Sequence, residues 1–324
     1  MKEPTGEFEL ITRLCARLPR SRRMVLGPGD DCAILVSSTK SLLITIDSMV
    51  EKVHFKCEWG TPEMLGAKAL AVNLSDIAAM GGRATACVVN LAIRPGLDTG
   101  FFDALYRGLT KAAAAAGVAV AGGNITRASE LAITVALLGE VDQQPLRRDS
   151  ARPGDRIYVT GTVGDAALGL RILQNQVSAA GSVRNQLVKR FLQPTAQLGA
   201  GRKLARLKPP PAAIDISDGL WQDLGHVLER SGVGAQVDRT ALPLSAAYRQ
   251  VCGNSCDLAL SGGEDYELLF CLRPRISEAE LSRRLGVKVR CIGEITRDKR
   301  ALLVDKTGEP SIVPMRGWDQ LRAI

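Results

Sequence analysis

Ser41-Leu42-Leu43-Ile44-Thr45-Ile46-Asp47 is an apolar run ending on an acid, and it reads as a buried strand. Further along, Thr61-Pro62 is a cap-and-first-turn signal. The apolar pattern it opens continues to Met80 and closes on Gly81-Gly82, which predicts a long helix. Ala84 to Ile93 then reads as a second strand, and Asp98 to Ala116 as a helix capped at Gly117. Val118 to Ala121 and Leu131 to Val141 supply two more strands, while upstream Glu7 to Leu18 has helical spacing. Strands alternating with helices predict α/β layers rather than a helical bundle.

A length of 324 residues fits two domains, each large enough to bury its own core. The apolar periodicity stops around Asp142 to Pro153, where prolines and arginines punctuate the chain. The expected division is therefore 1–145 and 146–324. The second unit opens with a strand over Asp155 to Thr160 and a helix over Asp165 to Leu173. Polar residues follow near 174–186, then the spacer Lys208-Pro209-Pro210-Pro211. Ala212 to Ile216 reads as a strand running straight into a helix over Gly219 to Arg230. Tyr266 to Leu272 and Val287 to Ile292 read as further strands.

Hydrophobic residues at 46% and charged residues at 23% describe an ordinary globular protein. There is no charged-then-apolar leader and no apolar run of membrane-spanning length, so no membrane partner is expected. The 8 cysteines are scattered, and Cys252 and Cys256 stand four apart with no second pair. Reduced core thiols and a cytoplasmic location are expected, not a zinc site. The net charge of +8 is dispersed and aromatics are only 4%, so the basic stripe with interleaved aromatics that binds nucleic acid is missing. A mild positive field favours anionic phosphate substrates.

The chemistry gathers at acidic junctions: Asp30-Asp31 after a glycine turn, Asp47 at a strand end, Asp76 in an apolar helix, and Asp215-Ile216-Ser217-Asp218-Gly219. Carboxylates brought together repel each other unless a hard cation such as Mg²⁺ neutralises them. A buried, unpaired Asp76 costs several kcal/mol, so it calls for a cation or donors. On an extended chain Asp215 and Ser217 point the same way. Helix capping accounts for Ser217 or Asp218 but leaves Asp215 unexplained in its apolar strand. Gly122-Gly123 and Gly262-Gly263 allow close backbone approach to phosphate, or are simply tight turns. No G-x-x-x-x-G-K-[ST] and no protein-kinase motif set is present. His54, between Val53 and Phe55, fits a packed residue as well as a site residue. Trp318 fits a tail residue packed on the core equally well.

Several runs resemble the thiamine-monophosphate kinase family. They are Gly29-Asp30-Asp31-Cys32-Ala33, Asp47-Ser48-Met49-Val50-Glu51 with Val53-His54-Phe55, and the helix motif from Lys68-Ala69-Leu70 through Asn73-Leu74-Ser75-Asp76 to Gly81. With them stand Ile214-Asp215-Ile216-Ser217-Asp218-Gly219-Leu220 and Ser261-Gly262-Gly263-Glu264-Asp265-Tyr266-Glu267-Leu268. These motifs, with Gly6-Glu7-Phe8 ahead of them, keep the family's order along nearly the whole chain.

The resemblance implies a two-domain α/β (α+β) fold like that of aminoimidazole ribonucleotide synthetase. In it an N-terminal sheet pairs across a homodimer and a C-terminal α/β domain closes over the nucleotide. It implies transfer of a phosphoryl group from ATP to thiamine monophosphate, giving thiamine diphosphate and ADP. Carried over by position, Asp31, Thr45, Asp47, Asp76 and Asp215 hold Mg²⁺ with the backbone of Ile46, and Asp218 holds a further ion. Gly123, Arg148 and Ser217 contact ATP; His54, Glu264 and Trp318 contact the thiamine substrate. Asn124 stands where the family usually has aspartate, which implies a weaker Mg²⁺ site there. Lys52 stands where glycine is common. Neither a general base nor a covalent nucleophile is expected, because the acceptor phosphate is already ionised near neutral pH. The alternatives are another ATP-dependent enzyme of the same superfamily, or a nucleotide-binding regulatory relative impaired by Asn124.

Overall fold

The computed structural model describes residues 24–26, 30–36, 41–273, 276–305, 309–314 and 317–320. The helix expected over Glu7 to Leu18 lies outside these residues.

Two sheets organise the chain. The first runs in the order β1 (Met24–Leu26), β2 (Ala33–Val36), β3 (Ser41–Val50), β6 (Ala132–Val141), β4 (Arg83–Ile93), β5 (Ala119–Arg127). Its neighbours are antiparallel except β4 and β5. Parallel neighbours need a crossover, and a helix supplies it here. That helix is α2 (Thr99–Ala116), which follows α1 (Pro62–Ala79) in the chain. Asp98 caps α2 by accepting the Phe101 N–H at 2.8 Å, and Gly117 ends it in the left-handed region at φ 71°.

Alternate residues of β6 (Ile133, Val135, Leu137, Val141) are buried, as expected of a sheet covered on one face only. The helices cover that inner face. On the outer face Ile46 and Val88 remain 64% and 46% exposed. The strand expected over Val118 to Ala121 runs on to Arg127. It lies at the sheet edge and is exposed along its length, so no apolar alternation marks it.

The second sheet contains β7 (Arg156–Thr160), β8 (Ala212–Asp215), β9 (Gly234–Asp238), β10 (Leu268–Leu272), β11 (Val289–Thr296), β12 (Ala301–Val304) and β13 (Pro310–Ile312). Their order is β13-β12-β9-β11-β7-β10-β8. Both faces are covered, which is why Ile157-Tyr158-Val159 and Leu268-Leu269-Phe270-Cys271 are continuous buried runs.

Its helices are α3 (Asp165–Leu173), α4 (Gly181–Leu192), α5 (Leu198–Leu204), α6 (Leu220–Ser231), α7 (Ala246–Cys252), α8 (Asp257–Ser261) and α9 (Glu278–Leu285). Part of the polar stretch near 174–186 thus belongs to α4, which buries only Leu187, Val188 and Phe191.

The two sheets meet through α1, which packs on β3 and β6 from one side and on α5 and β8 from the other. Being enclosed, α1 is buried nearly all round rather than along one stripe. At its end the packing reaches backbone contact: a Cβ on Gly201 would lie 2.0 Å from the Ala78 carbonyl oxygen.

Candidate active site

Asp31 just ahead of β2, Asp76 on α1 and Asp215 at the end of β8 come from distant parts of the chain. One carboxylate oxygen from each lies within 4.8 Å of the other two. Burial pushes the Asp76 carboxyl well above the usual range, and the charges of Asp47 and Asp31 push it further. Asp215 is raised by burial and then by Asp31 and Asp76. Asp31 differs: burial opposes its ionisation, but the Arg148 guanidinium overrides that and holds it low. Arg148 grips it with two bonds, Nε to Oδ2 at 3.1 Å and Nη2 to Oδ1 at 2.8 Å. Three crowded carboxylates facing one guanidinium are short of positive charge, and their hard oxygen donors suit Mg²⁺.

The surroundings fix these groups. Thr45 donates its hydroxyl proton to Asp76 Oδ2. The Asp47 N–H donates to Asn73 Oδ1 at 3.0 Å, and Asn73 in turn donates to the Ala69 carbonyl at 3.1 Å. A buried asparagine in α1 therefore ties down the part of β3 that carries Asp47, which lies inside the strand and not at its end, because β3 runs on to Val50. Asp30 accepts the backbone N–H of Arg148 at 3.1 Å, joining the segment ahead of β2 to the second unit.

A cavity of about 710 Å³ opens beside the cluster. The first unit lines it with Asp47, His54 and Asp76; the second with Asp215, Ser217, Asp218, Glu264 and Trp318. His54 Nδ1 accepts the Val50 N–H at 3.0 Å, which leaves the neutral ring's proton on Nε2, and the side-chain amide group of Gln320 lies 3.1 Å from that nitrogen. Burial lowers the His54 pKa and keeps the ring neutral. Glu264 has a left-handed backbone at φ 72° and forms an ion pair with Lys68. Lys68 is 2% exposed, and its ammonium lies 3.6 Å from the centroid of the Phe191 ring.

The 215–219 turn departs from simple capping. The residue flanking α6 is Gly219, and no side chain caps that helix end from outside. Instead Asp223, inside the first turn of α6, reaches back to the turn's backbone amides.

The structure thus gathers Asp31, Thr45, Asp47, Asp76 and Asp215 with Arg148, and sets His54, Ser217, Asp218, Glu264 and Trp318 around the cavity beside them. It does not bring Asn124 there. Asn124 donates to Asn90 Oδ1 at 2.9 Å, in a polar row with Thr134 and Ser48 on the outer face of the first sheet. Gly123 lies on the same edge strand, where a Cβ would come 2.0 Å from the Val89 carbonyl oxygen. Lys68, Asn73, Asp223 and Gln320 were not anticipated as site residues. A lysine and an asparagine inside an apolar helix pattern are the only local signals for the first two.

Residues 29–141 match the family of AIR synthase related proteins in its N-terminal domain, and residues 152–306 match that family's C-terminal domain. The thiamine-monophosphate kinase of Escherichia coli O157:H7 is 40% identical over 97% of this chain and 98% of its own length. That of Bacillus subtilis (strain 168) is 31% identical over 98% and 99%. The solved structure of AaThiL complexed with AMPPCP and TMP superposes with a TM-score of 0.85 at 32% identity, covering 99% of this chain and 98% of that one. Sequence and fold agree over nearly the whole of each chain, and the chain belongs to the thiamine-monophosphate kinase family of AIR synthase related proteins.

Proposed function

We propose that this chain catalyses Mg²⁺-dependent transfer of the γ-phosphoryl group of ATP to thiamine monophosphate, yielding thiamine diphosphate and ADP. The observation that carries this reading is the convergence of Asp31, Asp76 and Asp215 oxygens within 4.8 Å beside a cavity between the two units. When bound there, Mg²⁺ supplies positive charge that lets two polyanions come together. Asp31, Thr45, Asp47, Asp76 and Asp215 would hold it, and Asp218 a further ion. Asn124 and the Ile46 carbonyl enter this ligand set on the family resemblance alone. The division at 145/146 gives the first unit most of these ligands and Gly123, and the second unit Asp215, Asp218, Arg148 and Ser217.

Arg148, Gly123 and Ser217 contact ATP in this reading, with the Arg148 guanidinium suited to phosphate oxygens. His54 offers an Nε2–H to the thiamine substrate, Trp318 a ring face, and Glu264 a countercharge tempered by Lys68. The acceptor phosphate is ionised near neutral pH, so transfer is direct and in line, without a general base or a phosphoenzyme. Free thiols throughout the described residues support a cytoplasmic location.

The exposed apolar outer face of the first sheet supports pairing with a second copy of the chain. The direct test of function is incubation with ATP, Mg²⁺ and thiamine monophosphate, with detection of the diphosphate. Absence of diphosphate, or its formation without Mg²⁺, overturns the proposal.

A further inference from the structure

Asp223 is buried in the first turn of α6. Its Oδ2 accepts the backbone N–H groups of Ser217 at 3.1 Å, Asp218 at 3.2 Å and Gly219 at 3.1 Å. Three successive amides aimed at one point form a concavity that elsewhere binds phosphate or another anion. Here the chain fills it with its own carboxylate. The carbonyls of the same turn are held by residues further along the chain. Ile216 accepts from the Tyr266 N–H at 2.8 Å, Ser217 from the Glu264 N–H at 2.7 Å, and Asp218 from the Trp318 N–H at 2.9 Å. Gly219 turns the chain at φ 130°, where a Cβ would lie 2.9 Å from the Ser261 carbonyl.

We propose that Asp223 is a positioning residue which sets the 215–219 turn, and through that turn Glu264 and Trp318, for both metal–nucleotide and thiamine binding. The inference rests on the reading of the cavity given above. It has two consequences. With their N–H groups engaged by Asp223, residues 217–219 offer a nucleotide side-chain oxygens rather than backbone amides. A single carboxylate also organises both halves of the cavity, so one substitution moves two binding constants together.

The test uses the full chain with Asp223→Asn and Asp223→Ala. Mn²⁺ binding is followed by electron paramagnetic resonance with a methylene-bridged ATP analogue present. Thiamine monophosphate binding is followed by calorimetry, and unfolding midpoints are recorded without ligands. Both dissociation constants are expected to rise about tenfold or more in Asp223→Asn, the effect typical of losing a residue that orients metal ligands. Leu228→Ala, a core substitution in the same helix, serves as a stability control and leaves both constants within about twofold of the parent. Constants within about twofold of the parent in a folded Asp223→Asn overturn the proposal.

Should neither variant fold, amide exchange of the parent decides. Slow exchange at 217–219 is expected, and exchange at the rate of open amides overturns the inference. Turnover of the parent protein separately tests the functional reading beneath it.

Discussion

Lys52 occupies a left-handed backbone position at φ 69° and pairs with Glu130 at 2.8 Å. This geometry accounts for the glycine common at that position in the family. The strain on a non-glycine residue is about 1–2 kcal/mol, against about 0.5–1 kcal/mol for the extra freedom a glycine loses on folding and the small contribution of a solvent-screened ion pair. These nearly cancel, so Lys52→Gly should change the unfolding free energy by less than about 0.5 kcal/mol in urea titrations. With Glu130→Ala already present, the same change should stabilise by up to about 1.5 kcal/mol. Asp265 makes a different prediction. Burial raises its carboxyl to about 8 while it accepts the Gly164 N–H at 2.7 Å. The folded state therefore holds this proton more tightly than the unfolded chain, and the resulting stability is present below about pH 4 and lost as pH rises through 8. Metal-free protein should weaken between about pH 4 and 8, by no more than about 1.4 kcal/mol per unit from this group. Asp265→Asn should flatten the slope, and an unchanged slope contradicts the assignment.

Two glycines set the spacing of α1 and α2. A Cβ on Gly108 would lie 1.9 Å from the Glu63 carbonyl oxygen, and one on Gly66 the same distance from that of Leu105. Gly108→Ala must push the helices apart, at a cost of about 1–3 kcal/mol measurable by denaturant unfolding. It should also weaken Mg²⁺ binding, because α1 carries Asp76. Elements whose evidence is local were legible in the sequence: β3 by its apolar run, α1 by Thr61-Pro62 and Gly81-Gly82, α2 by Asp98 and Gly117. Those whose evidence is tertiary were not. α4 buries too few residues to leave an apolar rhythm, and edge strand β5 has no covered face to produce one. The same holds within the site. Asp76 and Asp215 stood out as acids in apolar elements where acids are costly, Asp31 looked like an ordinary turn residue, and the structure joins all three. Asp223 looks like any polar residue near a helix start, since its partners are amides that reach it only once the turn has closed.

At the scale of the molecule, the first sheet leaves Ile44, Ile46 and Val88 on an uncovered outer face. If a second copy covers that face, light scattering should report a dimer and Val88→Asp should yield monomers of unchanged helix content. A monomeric parent protein contradicts the pairing. The backbone contact between Gly201 and Ala78 bears on the catalytic cycle. Lobes pressed together through small residues resist hinge-bending at that contact, whereas other enzymes swing open and shut around each substrate. If the lobes keep this contact through turnover, substrates enter by the cavity's mouth and gating falls to local shifts of side chains and turns. Small-angle X-ray scattering should accordingly give one radius of gyration with and without nucleotide, and a contraction on loading would show that the lobes swing after all.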